Sequence, residues 1–387
     1  MNKPALLLSM VVVALATGGR AQAQIGGDAG VSVNPYAPPT RSAPGAPSYD
    51  LGPSLTGPSP MVPLNGSTTV GDGIVQPPLV AADPFDASTC GGITCRFGKF
   101  YVVSEAVMFD RSEPFVRNIS QQASTNFARL RTTDPNFDYW EVTPKITAGF
   151  LFCNNWAIES TMYYKDDFDA IANFGLTDDV NAVWFGTQPA ASDWTGADQQ
   201  NLRMASGLHS YELNVVDTVR GIQPIFGFRY IEFRDKMTVS TFDNANFSSG
   251  FIGTYNTLLG GQIGGKLNYE GESFGFDFTG KVGWYLNDAK VTTFIQDTNN
   301  TVTLRNLKRN SQNDAVVYEL TAALYYRPVT CVTIRGGYQC LSIINTGLAS
   351  DHINENPTAA LNTTGFSPNT KGDILYHGPF LGAEMRF

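Results

Sequence analysis

Residues 274–286 read FGFDFTGKVGWYL. Taken alternately, Phe274, Phe276, Phe278, Val282, Trp284 and Leu286 fall on one side, while Gly275, Asp277, Thr279, Lys281, Gly283 and Tyr285 fall on the other. Successive side chains of an extended chain point to opposite faces, so this period of two predicts a strand with one apolar and one polar face. The split recurs at 316–327, where Val316, Tyr318, Leu320, Leu324 and Tyr326 oppose Glu319, Thr321 and Arg327. It recurs again at 255–268, with Leu259, Ile263 and Leu267 against Asn256, Gln262, Lys266 and Asn268.

Extended outward, the pattern predicts ten strands near 97–109, 141–153, 156–166, 208–217, 224–234, 255–268, 274–290, 314–327, 331–344 and 374–387. Short turns fall at 154–155, 217–221, 269–273 and 328–330; long polar loops fall near 110–140, 167–207, 235–254, 291–313 and 345–373. Short turns alternating with long loops is how transmembrane barrels are connected. The expected fold is all-β, an antiparallel up-and-down transmembrane barrel over residues 96–387, with eight to twelve strands as the range.

A soluble sandwich also has one apolar face, so charge decides between them. The polar faces carry the acids Glu105, Glu159, Glu212, Asp277, Glu319 and Glu384 and the bases Lys145, Arg229, Lys266, Lys281, Arg335 and Arg386. The opposite faces are nearly free of charge, as lipid contact demands, since a mid-bilayer Lys or Arg costs about 2–4 kcal/mol. Aromatics gather at strand ends (Trp156, Tyr164, Phe226, Phe228, Trp284, Tyr326), where membrane girdles sit. Six acids against six bases in a narrow barrel predict an interior crossed by ion pairs, with a narrow pore or none.

The chain begins with Lys3, an apolar run from Ala5 to Ala16, and Ala21-Gln22-Ala23, the pattern of a cleaved export signal over 1–23. Removing that leader, which holds Lys3 and Arg20 and no acid, takes the net charge from −9 to −11. So acidic a chain argues against nucleic acid as a partner. Residues 24–95 are rich in Pro, Gly and Ser, and 12 of the 22 prolines lie between 25 and 88. Such a stretch buries too little apolar surface to offset its ordering entropy and is expected to be a disordered periplasmic tail. Cys90 and Cys95 flank a short flexible loop and are spaced for a disulfide, with free thiols as the alternative. Two cysteines with only His209, His352 and His377 in the chain make no metal site. Cys331 and Cys340 lie on one strand roughly 30 Å apart and cannot pair. Cys153 and Cys331 share a rim, which leaves their pairing open.

Several stretches, FYVVSEAVMFDRS (100–112), GFRYI (227–231), KVGWYLN (281–287), RGGYQCLSIINTGLAS (335–350) and YHGPFLGAEMRF (376–387), resemble the outer-membrane β-barrel porin family numbered seven. The resemblance covers about 96–387, implies a membrane barrel with transport only supposed, and supplies no catalytic or binding residue. The closing Phe387, on one face with Leu381, Ala383 and Met385, resembles the signal read by barrel-assembly machinery.

The expected partners are outer-membrane lipid and small solutes, with no cofactor. Passive diffusion of solutes is the first functional expectation and a surface scaffold or adhesin the second. GGQIGGK (260–266) nearly matches a phosphate-binding loop, but Leu267 replaces its Ser or Thr and no helix follows. An omptin-like protease would need Asp351-His352 and Asp166-Asp167 to converge on one water, which neighbouring residues on a strand do not do. No enzyme is therefore expected. Trp184, Phe185 and Trp194 would either contact a ligand or fold back over the barrel mouth, and the second is expected.

Overall fold

The computed structural model describes residues 99–387 except 136, 138–139, 153–154, 186–191, 218–221, 244–245, 272 and 354–367, and except the side chains of 167 and 176–178. The leader, the tail and the Cys90–Cys95 pairing lie outside the described residues.

The strands are β1 Lys99–Arg111, β2 Asn118–Gln122, β3 Ala128–Arg131, β4 Glu141–Leu151, β5 Trp156–Ala182, β6 Ala197–Asp217, β7 Ile222–Asp243, β8 Asn246–Glu270, β9 Phe274–Asp297, β10 Val302–Val329, β11 Val332–Thr346 and β12 Gly372–Arg386. Ten of them pair antiparallel in a ring, each long strand with its neighbours in sequence. β1 pairs with β12 on one side and β4 on the other, and β5 with β6 completes the circuit. Closure leaves no edge, so every backbone group inside the ring is paired without water. The short β2 and β3 attach to the far end of β5. At the seam, the Phe387 amide donates to the Phe100 carbonyl at 2.8 Å, and the two rings lie 5.9 Å apart.

The alternation read from 274–286 is the one seen: Phe274, Phe276, Trp284 and Leu286 are exposed on the outer wall, while Asp277 and Tyr285 are buried inside. The same exterior holds Phe226, Phe228, Leu259, Ile263, Leu320 and Leu324. A closed barrel wearing a continuous apolar outer band is built for lipid. The protein is an outer-membrane β-barrel.

One expectation needs correction. The predicted loops 167–207, 235–254 and 291–313 are largely strand: β5 runs on to Ala182, β6 starts at Ala197, and β7/β8 and β9/β10 form long hairpins beyond the apolar band. The loop 110–140 likewise contains β2 and β3. In this part the polarity is largely reversed, with Phe233, Met237, Val239, Ile252, Val291 and Ile295 buried inside and mostly polar residues, with a few aromatics, outside. Once both surfaces are free of lipid, an outward apolar row has no solvent to match, and the pattern becomes that of a soluble barrel. GGQIGGK lies in mid-strand, paired with β7 and β9, so its amides are committed to the sheet and unavailable to a phosphate. A Cβ at Gly264 would strike the Gly280 carbonyl at 2.4 Å and the Lys281 side chain at 2.8 Å, so the glycine lets β8 and β9 approach closely beside that lysine.

Candidate functional site

The interior of the lipid-facing part is crossed by charge. Arg229 on β7 reaches Glu319 on β10 at 2.7 Å and Glu212 on β6 at 3.3 Å. Lys281 on β9 closes the square, 2.7 Å from Glu212 and 2.9 Å from Glu319. Neutral donors complete the shell: Gln262 Nε2 and Asn214 Nδ2 donate to Glu212, and Arg229 Nε donates to Ser210 Oγ. Arg229 also bonds the Tyr163 hydroxyl. A second cluster joins β1, β4 and β11 to β8 and β9. Arg335 Nε is 3.0 Å from Glu105, Lys145 is 3.4 Å from the same carboxylate, and Asp277 lies 3.5 Å from Arg335 and 3.7 Å from Lys266. Glu384 pairs with Arg386 at 2.5 Å, and Glu159 accepts from the Tyr101 hydroxyl. Each of the twelve interior charges read from the sequence thus meets a partner on the inner wall.

Burial matters more than the pairing itself. Arg229 is 1 % exposed, Glu212 and Glu319 are 3 %, and Asp277 is 4 %. Water barely reaches Arg229, Glu212 and Glu319, while Asp277 sits at the margin of an open space. Below the square, toward the short turns, this small open vestibule is lined by Lys266, Asn268, Glu270, Arg327, Arg335 and Arg386.

A second closure sits above. Trp184, Phe185 and Trp194 are fully buried and pack edge-to-face, with centroids 4.9, 5.2 and 5.7 Å apart. Trp194 Nε1 donates to the Gln296 carbonyl at 2.7 Å, and a Cβ at Gly250 would strike the Trp184 ring at 2.5 Å. These aromatics fold over the upper barrel. The sequence did not suggest their companion: residues 347–353, which carry a 3₁₀ turn at Ala349–His352, dock inside against β7 and β8. Asn256 accepts from the Gly347 amide and donates to its carbonyl, at 2.8 and 2.9 Å. The Ala349 amide donates to Asp235, which is also paired with buried Arg111 at 2.9 Å. The one signal available in sequence was Asp235 itself, an acid on the interior parity of β7.

Asp351 and His352 do not act together. His352 is neutral and occupied at both nitrogens, with Nδ1 donating to the Leu348 carbonyl at 2.7 Å and Nε2 accepting from the Asn369 amide at 3.0 Å. Burial holds its pKa below the usual histidine value. The Asp351 carboxyl is pushed up to about 6, by burial first and then by the Asp235 carboxylate. Asp166 belongs to the other side of the wall, where it bonds His209 at 3.1 Å beside Tyr164; the Asp167 side chain lies outside the described residues. Among the described residues no cluster of three or more ligating side chains is placed to hold a metal ion. Cys331 is disulfide-bonded and Cys340 is a free thiol. Cys153, whose pairing the sequence leaves open, lies outside the described residues.

No family model matches the sequence, and no curated protein matches it. Among solved structures, the chain is similar to the outer-membrane protease OmpT from Escherichia coli, at 11% identity and a TM-score of 0.39, over 75% of this chain and 94% of that one. It is similar to an anion-selective porin from Comamonas acidovorans at 9% identity and a TM-score of 0.16, over 75% and 98%. A toluene transporter of P. putida, TodX, follows at 8% identity and a TM-score of 0.15, over 76% and 90%. At these TM-scores the likenesses carry no argument about activity.

Proposed function

We propose that this protein is a plugged outer-membrane barrel serving as a surface scaffold, not an open channel for passive diffusion and not an enzyme. The observation that carries the reading is the Glu212–Arg229–Lys281–Glu319 square, buried across the bore and neutral as a group. An aqueous channel would leave such groups wet; here a solute would have to break four ion pairs and then displace the aromatic cap. Mutual pairing of charges in a dry interior also holds opposite walls together, because removing either partner strands a buried charge. The resemblance to the porin family numbered seven and the role of Phe387 in assembly belong to this proposal.

Single-channel recording in planar bilayers tests it. The parent should give no steady conductance, and a variant with Arg229 and Lys281 changed to Ala, together with Glu212 and Glu319 changed to Ala, should leak. A large, steady conductance from the parent overturns the plugged reading and restores diffusion. Peptide cleavage by the parent that is lost in Asp351→Ala and His352→Ala would overturn the non-enzymatic part.

A further inference from the structure

The outer wall of β7 to β10 becomes basic where its apolar band ends. By strand register, Arg234, Tyr255, Lys290 and Asn310 form one transverse row, and Lys236, Gly253, Thr292 and Lys308 form the next. Phe251 and Phe294 face each other in the row beyond. Two cations flank Tyr255, Arg234 at 5.3 Å and Lys290 at 5.9 Å from the ring centroid. The Phe251 ring lies across Gly253 and leaves no room for a Cβ there. The patch is therefore an aromatic floor between basic edges.

Its charge is not cancelled locally. Glu232 and Asp288, one row nearer the apolar band, engage Arg234 and Lys290, each at 3.3 Å. Lys236 and Lys308 are exposed, and among the described residues neither lies within ion-pair distance of a carboxylate. The chain as a whole carries −9, and outward positions on β1, β5 and β12 hold Asp110, Asp166 and Asp373. A basic patch against that average, touching the edge of the lipid band, sits where headgroups lie. Bases near a membrane surface attract anionic lipid, and Lys and Arg are the usual phosphate partners.

We propose that this wall binds the phosphate-bearing headgroup of a glycolipid in the adjoining leaflet. Lys236 and Lys308 take the phosphates, and Tyr255, Phe251 and Phe294 offer ring faces to the sugar. The proposal is independent of whether the bore conducts.

The test is native mass spectrometry of the folded, detergent-solubilised chain titrated with a diphosphorylated glucosamine-disaccharide lipid, with phosphatidylglycerol and inorganic phosphate as separate arms. The parent should retain the glycolipid in preference to phosphatidylglycerol, and excess inorganic phosphate should weaken that retention. The double variant Lys236→Gln/Lys308→Gln should bind it roughly 25-fold more weakly, as the loss of two surface cations implies. Its heat-modifiable gel migration should be unchanged, and Lys371→Gln, a lysine away from the patch, should bind like the parent. Equal binding by parent and double variant, no retention by the parent, or equal affinity for phosphatidylglycerol would each overturn the proposal.

Discussion

The two ends of the same strands are built with opposite polarity. In the lipid-facing part of β7, Phe226 and Phe228 point out and Arg229 points in; a few residues on, Phe233, Met237 and Val239 point in while Arg234 and Lys236 point out. β9 makes the same exchange, from outward Trp284 and Leu286 with inward Lys281 to inward Val291 and Ile295 with outward Lys290. Neither strand shifts register against its β8 partner to do so, since the pairing runs without a bulge from Asp243 to Ile222 and from Ile295 to Gly275. The backbone is thus indifferent to the change. What differs is the surrounding medium: hydrocarbon outside a charged interior in one part, water outside an apolar core in the other.

Substitutions should separate the two parts by size and place of effect. The largest loss is expected from Arg229→Leu. It leaves Glu212 and Glu319 sharing one cation in a dry interior, at about 3–5 kcal/mol, seen as a lower midpoint for urea unfolding from lipid vesicles. Phe233→Ala should cost a comparable or slightly smaller amount, about 3–4 kcal/mol, but confined to the upper barrel. Hydrogen exchange should rise at 231–241 and 248–258 while the lipid-facing strands stay protected. If exchange instead rises uniformly, the two parts are not separable units. Leu320→Arg, on the lipid face, should cost about 2–4 kcal/mol and reduce the folded fraction on heat-modifiable gels. The same change at Thr292, outward in the upper part, should be nearly silent, and equal losses at the two sites would place lipid along the full height.

The smallest effect concerns the inner plug. Asp351 has its carboxyl raised from 3.8 to about 6 by burial and by Asp235, with Asp373 adding and Arg117 opposing. A raised folded pKa means that docking of 347–353 is strongest below about pH 4 and weakens as pH rises through about 6. Because the group is partly exposed, solvent screening keeps the contribution near or under about 1 kcal/mol. Asp351→Asn should therefore raise the protection factor of the Ala349 amide at pH 7 and abolish the pH dependence of that protection between 4 and 6. An unchanged pH profile would remove Asp351 from that role.

How much could be read in advance follows from the same polarity. The segment 274–286 and its relatives were readable because lipid and interior impose contrasting residue types on alternate positions, and the charges at Glu105 to Arg386 then fall on one parity. The extension of β7 through KMTVSTF (236–242) was not, because Thr and Ser beside Met and Val give a weak alternation that looks like a polar loop. The plug was hidden for another reason. Asn256 meets Gly347 across 91 residues of sequence and Asp235 meets Ala349 across 114, and no local pattern encodes such contacts.

The amino-acid order by itself determined that the chain forms amphipathic strands, which side of each strand takes charge, and that the charge-free sides meet lipid, since these follow from residue-by-residue solvation. Only the closed tertiary ring decided which acids meet which bases, that the Glu212–Arg229–Lys281–Glu319 square is buried inside the barrel, and that Trp184, Trp194 and the Ala349–His352 turn pack in its upper part. Those contacts join strands far apart in sequence, and they exist only once the wall has curved round to bring its opposite sides within reach.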